Sequence, residues 1–76
     1  MRDLIKKILE DIRPDVDFEN DNNLIDNGIL DSFDIITLAG ELCENFNIEI
    51  GAEDIIPENF NSLDLIVSMV QCLQNN

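Results

Sequence analysis

Ser32 stands directly after Asp31 and two residues before Asp34, following a loop that ends in Gly28. A hydroxyl in that setting has two ordinary uses, capping a helix N-terminus or attacking an electrophile. Asp31 already supplies the cap. An Asp just before a helical run accepts from the free N–H groups of the first turn, and Asp34 adds a carboxylate where the helix dipole favours one. Self-catalysed attack is excluded because the chain has no histidine and its nearest lysine, Lys7, lies 25 residues away in sequence. The flanking carboxylates would also raise a hydroxyl pKa rather than lower it. The chemistry left to Ser32 is to be modified by another enzyme. A group attached through a phosphate would set its anion at the helix N-terminus, where N–H groups and dipole both favour it. The neighbouring carboxylates oppose that anion, so the transfer calls for a divalent cation, with Asp31 as its natural ligand.

The element that must present Ser32 is a helix from Ser32 to about Phe46. Ile35, Leu38, Ala39, Leu42 and Phe46 recur at helical spacing as one buried stripe. Phe33, Ile36, Gly40 and Cys43 form a second apolar stripe beside it. A helix in a chain this small cannot be buried all round, so part of the second stripe is expected at the surface. Gly40 in mid-helix costs roughly 1 kcal/mol relative to Ala. The ordinary reason for accepting that cost is a tight helix–helix contact; the alternative is a spot where a partner or cargo lies close to the backbone. Cys43 reads as a small apolar filler, since its acidic neighbours disfavour a thiolate.

Around that helix the pattern predicts an all-α, small four-helix bundle of three main helices plus one short helix, filling residues 1–76 as a single domain. Leu4, Ile5, Ile8, Leu9 and Ile12 make one face of a first helix over residues 2–13, stopped by Pro14. A polar connection from Asp15 to Asn27 follows, with Val16, Phe18, Leu24 and Ile25 as core anchors; its length suggests either function or ordering by its own packing. Ile48, Ile50, Ile55 and Ile56 belong to a loop and a short helical turn that begins near Ala52 and is broken by Pro57. Asn61 or Ser62 then caps a last helix to about Leu73, with Leu63, Ile66, Val67, Val70 and Leu73 facing the core.

Composition narrows the function classes. The chain has 76 residues, 17 Asp+Glu against 4 Lys+Arg, no histidine and a net charge of −13, yet 45% of it is hydrophobic. That apolar share separates it from an acidic disordered tail. A domain of this size buries only about 60% of its unfolded surface, which disfavours a deep enzymatic pocket. Arg2, Lys6, Lys7 and Arg13 are its only bases, so from Pro14 onward there are acids and no base at all. Nucleic acid is excluded for want of a basic footprint, and the surface favours basic protein partners met in a salt-dependent way. Cys43 and Cys72 have no metal-ligand spacing and read as reduced thiols of a cytoplasmic protein. No apolar run approaches the roughly 20 residues of a membrane span, so no direct membrane insertion is expected.

The segment Gly28-Ile29-Leu30-Asp31-Ser32-Phe33-Asp34, the helix ending at Phe46 and the strand-like turn Ile48-Glu49-Ile50 resemble the acyl carrier protein family. The resemblance extends over the whole chain in length, acidity, long first loop, short third helix and final apolar helix. It implies a monomeric, non-catalytic bundle that carries 4′-phosphopantetheine, transferred from coenzyme A onto Ser32 by a phosphopantetheinyl transferase. The arm's thiol would hold an acyl or aminoacyl thioester, loaded by an activating enzyme and passed to a downstream transferase or synthase. Asp31 matches the family aspartate that binds magnesium in the transferase complex; no metal site intrinsic to the chain is implied. The second helix would be the recognition element, giving Asp31, Phe33, Asp34, Ile36, Thr37, Glu44 and, beyond it, Ile55 as partner-recognition residues. Carriers of fatty-acid synthesis usually have Leu after the serine and more Glu along this helix, whereas here Phe33, Thr37 and Cys43 stand. Asp-Ser-Phe is similar to the D-alanyl carrier proteins, although those often have Gly at the place of Asp34. The departures point to a dedicated carrier with a specialised partner set, leaving fatty, aminoacyl and polyketide-type cargo open.

Two other readings compete. An EF-hand loop fails, because with Gly28 at the sixth position Ile25 falls on a ligand position and Asp34 is short for the bidentate Glu. An acidic helical interaction module, docking through Phe33 and Ile36, would carry no covalent modification.

Overall fold

The structure, a computed structural model, describes residues 1–75. Four helices follow in order: α1 (Arg2–Ile12), α2 (Ser32–Phe46), α3 (Pro57–Phe60) and α4 (Leu63–Gln74), with a 3₁₀ turn at Ala52–Asp54 before α3. No β-strand occurs among the described residues, and Ile48-Glu49-Ile50 is irregular chain rather than part of a ladder. Helix α1 packs against both α2 and α4, and α3 packs against α4.

Helix α1 forms where the apolar spacing requires it. Ile5 and Leu9 are fully buried and Ile8 nearly so, while Leu4 at the edge of the stripe is 40% exposed. The chain leaves the helix at Arg13, pushed out of helical geometry by Pro14. At the other end Asn47 closes α2 in the left-handed region at φ 54°, and the N–H of Ile48 reaches back to the Cys43 carbonyl at 3.3 Å. Asn is one of the few side chains that accept that conformation readily. Leu38 and Leu42 of α2 meet Leu63, Ile66, Met69 and Val70 of α4 in one cluster with the α1 residues. Each such fully buried side chain stabilises the fold by about 1.5–3 kcal/mol. Val67 and Leu73 pack on the cluster's margin, half-buried, and Met69 is a core residue that the helical stripe had not included.

Two local expectations are corrected. Pro57 does not break a helical turn; it opens α3 as its first residue. The first turn of a helix has no use for that N–H, and the fixed φ of proline suits the start. Gly40 makes no helix–helix contact, since a Cβ built there has nothing within 4 Å.

The long connection between α1 and α2 is ordered by its own anchors. Phe18 and Leu24 enter the core at 2% and 0% exposure, and Val16 and Ile25 pack on its margin. Arg2 meets Glu19 side-on, with Nη2–Oε1 2.6 Å and Nη1–Oε2 3.1 Å, and also reaches Asp64 of α4 at 3.1 Å. Lys6 adds a contact to Glu19 at 3.2 Å. These donated bonds, Arg2 first and Lys6 second, hold the Glu19 carboxyl down to about 2. Of the two cap candidates before α4, Ser62 is the cap, its Oγ accepting from Leu65 N–H at 3.1 Å.

Candidate functional site

The segment that presents Ser32 is shaped from Leu24 onward. The Leu30 N–H donates to the Leu24 carbonyl and the Gly28 N–H to the Ile25 carbonyl, both at 3.0 Å, closing a compact turn. Gly28 sits at φ +69°, where a side chain would be strained. Leu30, 3% exposed, then pins the chain to the core two residues before the serine.

Helix α2 starts at Ser32 with a reciprocal cap made by its neighbours. Asp31, extended at φ −92° and ψ −179°, accepts through Oδ1 from the Asp34 N–H at 2.8 Å. Asp34 returns the contact, its Oδ2 accepting from the Asp31 N–H at 3.4 Å. This is the capping-box arrangement with Asp at both ends. Because Asp31 and Asp34 perform the capping, the exposed Ser32 hydroxyl is left uncommitted to it. An exposed serine at the first position of a 15-residue helix is suited to carry a bulky group, since attachment there displaces no core side chain.

Of the other residues singled out on α2, Phe33 is 77% exposed and Ile36 66%, and Thr37 and Glu44 are also exposed. With the exposed Gly40 they fall within about a third of the helix circumference, so they form one strip running from the serine end toward the C-terminus. Thr37 is rotated back onto its own helix, donating to the Phe33 carbonyl at 3.0 Å. Asp34 departs from the strip: its side chain is only 16% exposed and is turned into the capping box. Ile55 lies off α2 altogether. At 38% exposure it lines an apolar cleft of about 60 Å³ with Ile25, Ile35, Ile56, Pro57 and Phe60. That cleft begins at Ile35, one turn from Ser32.

One residue of the site was missed in the sequence. Arg13, at the C-terminal end of α1, donates through Nη1 to the Ile29 carbonyl at 2.8 Å and lies 3.5 Å from Asp34 Oδ2. Its Nε is 3.7 Å from Asp15. The available signal was its isolation, as the one base separated from the Arg2, Lys6, Lys7 group.

The profile of the family described as "Phosphopantetheine attachment site" matches residues 1–70. The chain belongs to that family. It is a carrier protein that bears a phosphopantetheine arm, and an unmodified interaction module is not favoured. The D-alanyl carrier protein of Lactobacillus acidophilus is 30% identical to this carrier over 69 residues, 90% of this chain and 87% of the relative. No solved structure gives a significant match. Carrier proteins are in general non-catalytic and work with partner enzymes such as synthetases and transferases. Among the described residues of this carrier, no helix is long and apolar enough to cross a membrane.

Proposed function

We propose that Ser32 is the residue that carries the 4′-phosphopantetheine arm. The observation that supports this is the division of labour at the start of α2: Asp31 and Asp34 make the cap, leaving an exposed hydroxyl at the first helical position. In the transfer, a bond forms between Ser32 Oγ and the coenzyme A phosphorus that bears the pantetheine. The pyrophosphate P–O bond breaks, adenosine 3′,5′-bisphosphate leaves, and the serine proton passes to a base on a phosphopantetheinyl transferase. Asp31 is exposed and serves there as a magnesium ligand, which offsets the repulsion between coenzyme A and the acidic surface. When bound, the arm supplies a thiol that holds cargo as a thioester; the chain itself performs no catalysis.

The cargo is aminoacyl, with D-alanyl favoured. Likeness to a D-alanyl carrier protein supports this, as does the Asp31-Ser32-Phe33 run. The apolar cleft also agrees, since about 60 Å³ is too little for a long acyl chain. An amino-acid-activating enzyme loads the arm and a downstream transferase unloads it. Both meet the strip of Phe33, Ile36, Thr37 and Glu44, with Gly40 in its centre allowing close approach to the helix backbone. The carrier works in the cytoplasm as a monomeric single domain spanning residues 1–76.

Incubation with coenzyme A and a phosphopantetheinyl transferase, read by intact mass spectrometry, tests the attachment. The expected result is one phosphopantetheine added to the wild type and none to Ser32→Ala. Addition to Ser32→Ala would refute the assignment. Cargo is read by loading the holo form with radiolabelled amino acids and fatty acids, where stable labelling by fatty acids alone would overturn the aminoacyl reading.

A further inference from the structure

We propose that Arg13 is a positioning residue for the modification of Ser32: from the end of α1 it holds both ends of the segment that presents the serine. The inference rests on Ser32 being the attachment residue. Arg13 is itself fixed, its backbone N–H donating to the Leu9 carbonyl at 2.8 Å. From there a single nitrogen, Nη1, reaches the Ile29 carbonyl at 2.8 Å and Asp34 Oδ2 at 3.5 Å. Ile29 and Asp34 flank Asp31 and Ser32 on either side. The same Asp34 oxygen accepts from the Asp31 N–H at 3.4 Å, so guanidinium, Asp34 and Asp31 form one connected chain ending beside the serine.

Two features make this more than a surface ion pair. The Arg13 side chain is 37% exposed and that of Asp34 only 16%, so the contact is partly withdrawn from water and less screened than an exposed pair. The other basic groups held in ion pairs, Arg2 and Lys6, face Glu19 and Asp64, leaving Arg13 as the cation paired with Asp34. Without it, the segment Gly28–Asp31 would keep its Leu30 anchor but lose its tie to α1, and Asp34 would be less fixed as the partner of Asp31. Displacement of a reacting hydroxyl by about 1 Å lowers a rate about a hundred-fold, so a moderate loosening is read directly in turnover.

The test is steady-state kinetics of the phosphopantetheinyl transferase with saturating coenzyme A and varied carrier, comparing wild type, Arg13→Met, Arg13→Lys, Arg13→Gln and Ser32→Ala. Arg13→Met is expected to lower kcat about ten-fold with the carrier KM within about two-fold of wild type, and Arg13→Lys to recover the larger part of kcat. A merely structural role gives a different split: unfolded carrier is no substrate, so partial unfolding raises the apparent KM and leaves kcat unchanged. An unchanged kcat in Arg13→Met, whatever its KM, overturns the proposal, and so does an Arg13→Lys no faster than Arg13→Met. Should Arg13→Met lose its helical circular dichroism, Arg13→Gln decides in the same assay, a lowered kcat supporting the proposal and an unchanged one overturning it. Modification of Ser32→Ala would refute the attachment residue and this inference with it. An unmodified Ser32→Ala beside an unaffected Arg13→Met refutes this inference alone.

Discussion

The side chain of Asn61 holds the backbone of Ile25, 36 residues away: its Oδ1 accepts from the Ile25 N–H at 3.0 Å and from the Asp26 N–H at 3.2 Å. Its own carbonyl accepts from the Leu24 N–H at 2.8 Å, and its Nδ2 donates to Asp26 Oδ2 at 3.2 Å. The residue that closes α3 thus fastens the loop that leads to Ser32. Asn61→Ala leaves those loop N–H groups without an acceptor, and is expected to lower stability by about 1–3 kcal/mol in urea unfolding. A loss below about 0.5 kcal/mol would mean that water replaces the amide freely.

The Glu19 carboxyl gives a pH dependence with a definite sign. Its folded-state value is lowered to about 2 from an ordinary 4.5, chiefly by the bonds from Arg2 and then Lys6. The unfolded chain therefore binds the proton first on acidification, and the contribution to stability is full above about 4.5 and lost as pH falls through about 2. Wild type is expected to be more stable than Glu19→Gln at pH 6, with the gap closing across that window. Because the carboxylate is 39% exposed, the gap should also shrink in high salt. A gap that persists at pH 1.5 would contradict the assignment.

Substitution separates the capping role of Asp31 from its proposed role as a metal ligand. Asp31→Ala removes the cap and is expected to cost about 1 kcal/mol. Asp31→Ser keeps an N-cap oxygen but removes the carboxylate. Its stability should stay within about 0.5 kcal/mol of wild type while modification of Ser32 slows at limiting magnesium. Equal modification rates for Asp31→Ser and wild type would exclude a metal-ligand role.

Phe33 should matter to partners and not to the fold. A side chain 77% exposed contributes little to folding, so Phe33→Ala is expected to change unfolding free energy by less than about 0.5 kcal/mol. The same variant should weaken loading by the activating enzyme, measured as a raised KM for the holo carrier.

Gly40 occupies open space on the same strip, so Gly40→Ala is expected to stabilise the protein by about 0.5–1 kcal/mol through helix propensity. If partners press close to the backbone there, the more stable variant should be the poorer substrate.

The start and end of α2 were legible because their signals are local: an Asp N-cap, a carboxylate three residues on and an apolar stripe through Phe46. The exposed Phe33 and Ile36 followed from the same reasoning, since one helix in a small domain has too few neighbours to cover two stripes. Pro57 was misread because a proline ends one helix and begins another with equal ease, and only the chain's path decides which. Gly40 suggested a helix contact that packing does not make.

By itself, then, the sequence determined the three long helices and the uncommitted serine behind an Asp cap. Which long-range polar contacts form was decided by tertiary structure alone. Arg13 reaches Ile29 and Asp34 across the gap between two helices, and Asn61 yields the α4 cap to Ser62 while fastening Ile25. Hydrophobic periodicity fixes which face of a helix turns inward, but it carries no information about which side-chain donor, tens of residues away, will meet a given backbone group once the faces have packed.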